Sequence, residues 1–345
     1  MRALVTGAAG FVGSHLTEAL LERGFDIVAV DCFTDHYPGW MKRLNLADAR
    51  HHPRCHFVDA DLTWVELPAL LSGVDYVFHQ AAQPGVRSSW GVGFESYVRN
   101  NVLATQRLLE AARNSSVRKV VYASSSSVYG NAKTYPTRED ATPQPVSPYG
   151  ATKLAAENLC SLYWREFGLP VVSLRYFTAY GPRQRPDMAM STFIRAGLQG
   201  DAIQVYGDGG HSRDFTYVDD VVAANLIAAE KASPGRIYNI GGGSEVTVDE
   251  IIRTLQRLMG GEAIKTVYQE EKPGDARRTA ADTSLARKEL GYCPRVGLEE
   301  GLTRQLAWAR EQLVHPLQRL AALPATRAQE SLRPIDTHYV RGPDQ

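Results

Sequence analysis

The sequence predicts an α/β fold, a doubly wound parallel sheet followed by a smaller C-terminal α/β domain. Three observations lead there. Short β-branched apolar runs alternate with amphipathic stretches through the first half, the pattern of strands joined by crossover helices. A glycine-rich segment directly follows the first run. Beyond residue 176 the texture changes, with glycine, proline and arginine breaking any regular period.

The strand runs fall at residues 3–6, 27–31, 56–58, 76–79, 120–124 and 171–174. Leu16, Ala19, Leu20 and Arg23 keep helical spacing after the first run, as do Val102, Thr105, Leu109 and Ala112 before the fifth. Past residue 176 the signals thin to a strand at 237–240 and a helix at 248–258. The chain therefore divides into a first domain, 1–176, a second, 177–312, with elements free to rejoin the sheet, and a tail, 313–345. Pro316, Pro324, Pro334 and Pro343 interrupt any long helix in that tail, which is expected to be an extended appendage.

Composition removes several function classes. Lys+Arg and Asp+Glu each number 38, so no broad basic field is available for nucleic acid. With 44% hydrophobic and 22% charged residues the chain has the make-up of an ordinary globular protein. No stretch approaches the roughly 18 uninterrupted apolar residues of a membrane span. Cys32, Cys55, Cys160 and Cys293 are scattered, which argues against a metal or redox motif and for reduced thiols in a cytoplasmic protein. The apolar run through Val12 meets His15, Glu18, Glu22 and Arg23 with no cleavage signal, so it reads as core rather than leader.

Gly7-Ala8-Ala9-Gly10-Phe11-Val12-Gly13 joins the first strand run to the first helix run. Its glycines permit a tight turn and close approach of backbone N–H groups to a pyrophosphate, the device of a Rossmann-type dinucleotide site. Asp31 ends the second strand 18 residues after Gly13, where an acid bonds a ribose 2′-hydroxyl and repels a 2′-phosphate. NAD is thus expected over NADP, although an Asp at a strand end is also an ordinary turn residue. Asp61 and Leu62, then Gln80, Ala81 and Ala82, follow the third and fourth strands, and Asn101 lies in the next helix. All fall where further cofactor contacts are expected.

A tyrosine that exchanges a proton with a hydroxyl needs a nearby cation to stabilise its phenolate. Tyr-x-x-x-Lys supplies this on a helix, where i and i+4 share a face. Of the 16 tyrosines, Tyr129, Tyr149 and Tyr268 have such a lysine, at Lys133, Lys153 and Lys272. Loop residues surround the first and a Pro-Gly turn follows the last. Only Tyr149 follows a cap-like Ser147-Pro148 and enters a strong helix former. Ser124 to Ser127 follow the fifth strand at the carboxyl edge where open α/β sheets bind ligands, although serines also favour plain turns.

In order along the chain, TGAAGFVG, HQAAQPGVRSS, SSSSVYG, SPYGATK, RYFTAYGP, RDFTYVDD and KPGD resemble the extended short-chain dehydrogenase/reductase superfamily and its nucleotide-sugar epimerases. The resemblance covers roughly residues 1–310. Within it, Thr178 and the Arg185-Pro186-Asp187-Met188-Ala189 segment look most like UDP-glucuronate 4-epimerases. Ser126 and Ser127 stand where the similar dehydratases and decarboxylases carry acids. The resemblance implies Ser125, Tyr149 and Lys153 as catalytic residues, with Tyr149 and Lys153 also in contact with the cofactor. It also implies a substrate pocket of Gly85, Val86, Arg87, Ser125, Ser126, Ser127, Tyr149 and Thr178, with Arg185 for the sugar carboxylate, Gln204 and Tyr206 for the uracil, Arg213 for the diphosphate and Asp275 for the ribose.

The reaction so implied is epimerisation at C4 of UDP-glucuronate to UDP-galacturonate, through a transient 4-keto sugar, with NAD tightly bound and regenerated each turnover. Alternatives are a UDP-glucose or other UDP-hexose 4-epimerase, or a non-catalytic NAD-sensing protein on the same fold. Arg185 could instead be a surface arginine, and Arg213 a structural ion-pair partner of Asp214. Similar enzymes pair two helices per subunit in a homodimer, here those near residues 95–113 and 149–167. No metal, nucleic-acid or membrane partner is expected.

Overall fold

The computed structural model describes residues 1–261 and 264–314; the expected tail falls almost wholly outside the described residues. Twelve strands occur among them: β1 (Arg2–Thr6), β2 (Asp26–Asp31), β3 (Cys55–Asp59), β4 (Tyr76–His79), β5 (Lys119–Ser125), β6 (Val171–Tyr176), β7 (Thr178–Tyr180), β8 (Ile203–Tyr206), β9 (Ser212–Tyr217), β10 (Ile237–Ile240), β11 (Glu245–Thr247) and β12 (Thr266–Gln269). Seven form one sheet in the order β10-β6-β5-β4-β1-β2-β3, every pair parallel. The order turns back at β1, and the carboxyl ends of β1 and β4 open a crevice there, which is the doubly wound Rossmann arrangement.

Alternation along the strands fills two cores. Ala3 and Val5 of β1 face one side with Leu16 and Leu20 of the helix Phe11–Glu22. Leu4 faces the other with Leu108 and Leu109 of the helix Ala104–Arg113 and Ala156 and Cys160 of the helix Pro148–Phe167. Both faces are covered, so the strands read as continuous apolar runs rather than alternating ones.

The chain re-enters this sheet after residue 217. The helix Val218–Lys231 contributes Val222, Leu226 and Ala229 to the first core, and β10 pairs with β6 at the sheet edge. A separate core of Phe193, Ile203, Phe215, Ile251 and Leu302 lies beneath the three-stranded sheet β11-β9-β7 and the pair β12-β8. Its helix Val248–Leu258 begins with a reciprocal cap, Thr247 and Glu250 each bonding the other's backbone N–H.

Candidate active site

One cavity of about 420 Å³ runs from the glycine turn to the Arg213 and Asp275 side chains. At the turn, a Cβ on Gly13 would lie 2.0 Å from the Gly7 carbonyl oxygen, and one on Gly7 would lie 2.7 Å from Ala81 N. Gly7 also has φ +67, so no other residue fits without strain. The helix Phe11–Glu22 starts at Gly10 with no side-chain cap, leaving its first N–H groups to a ligand. Gly7, Gly10, Phe11, Val12 and Gly13 all line the cavity.

Asp31 closes the turn from the end of β2, accepting from Ala9 N at 3.0 Å and Phe33 N at 2.8 Å. Burial pushes its carboxyl above the ordinary carboxylate value, against the backbone hydrogen bonds that lower it. Asp61 Oδ1 accepts from Thr63, its Oδ2 pairs with Arg99 at 2.7 Å, and Leu62 lies beside it on the wall. Gln80 is held by Tyr176 and Asn225, and with Ala81 and Ala82 it lines the cavity. A cradle with no room for a Cβ, free helical N–H groups and a carboxylate at the second strand end together fit a dinucleotide of the NAD type.

The helix Pro148–Phe167 carries the next cluster. Ser147 Oγ accepts from Gly150 N at 3.1 Å, Pro148 takes the first turn, and Gly168 ends the helix at φ 69. Tyr149 and Lys153 therefore share a face, and both line the cavity. Burial raises the Tyr149 phenol, while a hydrogen bond to Ser125 and the positive field of Arg185 draw it down. Burial lowers the Lys153 ammonium to about 8, against the nearby Cys160 and Glu157, and its Nζ sits 4.7 Å from the Tyr122 ring centre. Ser125, Ser126 and Ser127 end β5 and begin a short turn, with Ser125 Oγ accepting from Ser127 N at 3.1 Å.

Beneath Lys153 lies a buried ion pair absent from the sequence reading. Glu157, one turn further along, takes Arg175 Nη2 at 2.6 Å and Nε at 3.0 Å, and Ser124 Oγ at 2.6 Å. Arg175 Nη1 reaches Tyr129 Oη at 2.7 Å, and Tyr129 donates to Asn239 at 2.7 Å. Tyr129 is thus part of the packing, and Tyr268 stands in β12, so Tyr149 alone of the three spaced tyrosines is helical.

The opposite wall carries Gly85, Val86, Thr178, Arg185, Arg213 and Asp275. Arg185 donates from Nε and Nη2 to Asp187 at 3.0 Å each. Arg213 is bonded to the Ser212 carbonyl at 2.8 Å, and burial lowers its guanidinium. Arg87 pairs with Asp275 at 2.7 Å and lies 4.1 Å over the Tyr206 ring, but neither Arg87 nor Tyr206 is among the lining residues.

Two further expected residues do not line the cavity. Gln204 is exposed on β8, bonded to Gln269 at 3.0 Å, and is not among the lining residues. Asn101 is buried behind the wall, its amide spent on Gln83 and Thr152, and Asn100 lines the cavity instead. Val98–Leu103 is a π-helical turn, whose wider loop rotates the side chains away from the α-helical count. His36, Tyr37, Lys42, Tyr176 and Phe177 also line the cavity and were not expected. Tyr176 and Phe177 border Thr178 at a strand end, a position that could have suggested them.

Residues 3–241 match the NAD dependent epimerase/dehydratase family, and the chain belongs to it. Among curated relatives it is 44% identical over 313 residues to the uncharacterized UDP-glucose epimerase YtcB of Bacillus subtilis, covering 89% of this chain and 98% of that one. It is 38% identical over 315 residues to the UDP-glucuronate 4-epimerase of Thermodesulfobacterium geofontis, covering 90% and 96%. Among solved structures it resembles the UDP-glucuronic acid 4-epimerase of Bacillus cereus in complex with UDP-glucuronic acid and NAD, with a TM-score of 0.88 and 41% identity over 90% of this chain and 99% of that one.

Proposed function

We propose that the protein epimerises UDP-glucuronate to UDP-galacturonate at C4 through a transient 4-keto sugar. At the coarser level the chain is an NAD-dependent UDP-sugar 4-epimerase, an isomerase. The uronate reading rests on one observation: Arg185, Ser126, Ser127 and Thr178 line the same cavity as Ser125 and Tyr149. A guanidinium fork and three hydroxyls suit a carboxylate. A neutral sugar would leave the cavity-facing donors of that arginine without an anionic partner from the substrate.

Gly7, Gly10, Gly13 and Asp31 would hold the dinucleotide, with residues 1–176 its main support and 177–312 that of the sugar nucleotide. Bound there, the nicotinamide supplies the hydride acceptor and donor. Tyr149 takes the C4 hydroxyl proton through its contact with Ser125, and the Lys153 ammonium favours the phenolate. After the sugar turns in the pocket and C4 presents its opposite face for return of the hydride, Tyr149 returns the proton to the C4 oxygen. The net redox change is zero, so NAD is retained from one turnover to the next.

The 4-keto state of a glucuronate is a β-keto acid, which loses carbon dioxide when its carboxylate aligns with the carbonyl. Restraint by Arg185, Ser126, Ser127 and Thr178 guards against this. The test is proton NMR of UDP-glucuronate with purified protein and no added cofactor, following the sugar H4 couplings. UDP-galacturonate is the expected product. Unchanged UDP-glucuronate together with conversion of UDP-glucose to UDP-galactose would replace this reading by the neutral-sugar one, to which the similarity to YtcB lends weight.

We infer a homodimer as well. Val98, Leu103, Leu162 and Phe167 are exposed apolar residues on the two helical segments expected to pair. Light scattering should return twice the chain mass of 38.0 kDa. The four free cysteines suit a reducing, cytoplasmic setting, and no helix among the described residues is long and apolar enough to cross a membrane.

A further inference from the structure

The arginine assigned to the sugar carboxylate already has a carboxylate on it. Arg185 Nε and Nη2 each donate to one Asp187 oxygen at 3.0 Å, a bidentate fork. A guanidinium has five N–H donors, and this fork uses one edge. The Nη1 hydrogens and the outer Nη2 hydrogen remain for a second carboxylate.

Asp187 is itself braced. His36 Nε2 lies 3.5 Å from Asp187 Oδ2, and His36 Nδ1 lies 3.1 Å from Gln83 Nε2. Gln83 N donates to Asn101 Oδ1 at 2.7 Å, and Asn101 Nδ2 donates to Thr152 Oγ1 at 3.0 Å. Thr152 stands on the catalytic helix between Tyr149 and Lys153. Burial would raise the Asp187 carboxyl, but the nearby His36 ring and the hydrogen-bonded Arg185 guanidinium hold it well below the usual range, so it stays ionised. Arg185 is 17% and Asp187 40% exposed, so the clamp sits at the cavity rim with its arginine turned inward.

We propose that Asp187 is a positioning and specificity residue, which clamps one edge of Arg185 so that the other is presented, in register with Tyr149, to the substrate carboxylate. This inference rests on the uronate reading of the same site. Asp187 is not among the residues that line the cavity and acts only through Arg185. Without the clamp, a long side chain at the rim would have to be ordered anew by each substrate, a cost of up to about tenfold in affinity.

Steady-state kinetics with UDP-glucuronate on wild type, Asp187→Asn, Asp187→Glu, Arg185→Ala and the Arg185→Ala/Asp187→Asn double variant test it. Asp187→Asn should raise KM by about tenfold, with the change carried by KM rather than kcat. Asp187→Glu, which keeps the charge, should recover part of the loss. In the Arg185→Ala background, Asp187→Asn should add nothing, because coupled residues are not additive. A Asp187→Asn enzyme equal to wild type, or with a lower KM, overturns the clamp while leaving the uronate reading intact. So does a full additional loss in the double variant. A wild type that leaves UDP-glucuronate unchanged overturns both.

Discussion

Glu157→Gln tests the packing around the helix Pro148–Phe167. Glu157 and Arg175 side chains are 2% and 3% exposed, and the carboxylate takes two arginine N–H groups and the Ser124 hydroxyl. An amide at 157 keeps one acceptor oxygen, enough for two of the three donors that the carboxylate takes, and turns an NH2 group on the third. It leaves the guanidinium, which cannot shed its proton, as a charge hydrogen-bonded only to neutral groups, Tyr129 Oη and the Glu139 carbonyl among them. Breaking one side of such a buried pair costs about 3–5 kcal/mol. At about 2–4 °C per kcal/mol for a protein of this class, the thermal midpoint should fall by about 10 °C. Removing both charges in Glu157→Gln/Arg175→Met should recover most of that, since apolar replacements of buried pairs are often neutral. Differential scanning calorimetry reads both. A fall of less than about 1 kcal/mol, the scale of an exposed pair, would refute the burial argument. A double variant no better than the single would refute the role of uncompensated charge.

Three further outcomes are expected. Tyr149→Phe should lower kcat by about 100- to 10,000-fold while the purified protein still carries NAD by absorbance, because the loss removes the proton-transfer group and leaves the glycine cradle and Asp31 to hold the dinucleotide. Gly13→Ala places a Cβ 2.0 Å from the Gly7 carbonyl and should abolish NAD retention, read by the same absorbance. Lys153 sits at about 8 rather than 10.5, so between those values the unfolded chain binds more protons than the folded one. Its burial penalty is therefore full below about pH 8 and is relieved as pH rises towards 10.5. Lys153→Met should stabilise the protein at pH 7 and lose that advantage above pH 8, as followed by thermal midpoints across pH.

Local patterns were legible in the sequence because their physics is local. A strand, a glycine turn and a helix start within thirteen residues define the phosphate cradle, and i to i+4 spacing after a Ser-Pro cap puts Tyr149 and Lys153 on one face. Strand runs read correctly where both faces are buried, since β-branched continuity survives without alternation. The one-residue shift from Asn101 to Asn100 escaped because a π turn has no signature in residue type. What only the tertiary structure decided involves partners far apart in the chain. Arg87 meets Asp275, Arg175 joins Glu157 to Tyr129 and Asn239, and β10 returns to the edge of the first sheet. Those choices depend on which surfaces remain to be covered once the sheet has formed, a property of the assembled layers that no window of sequence contains.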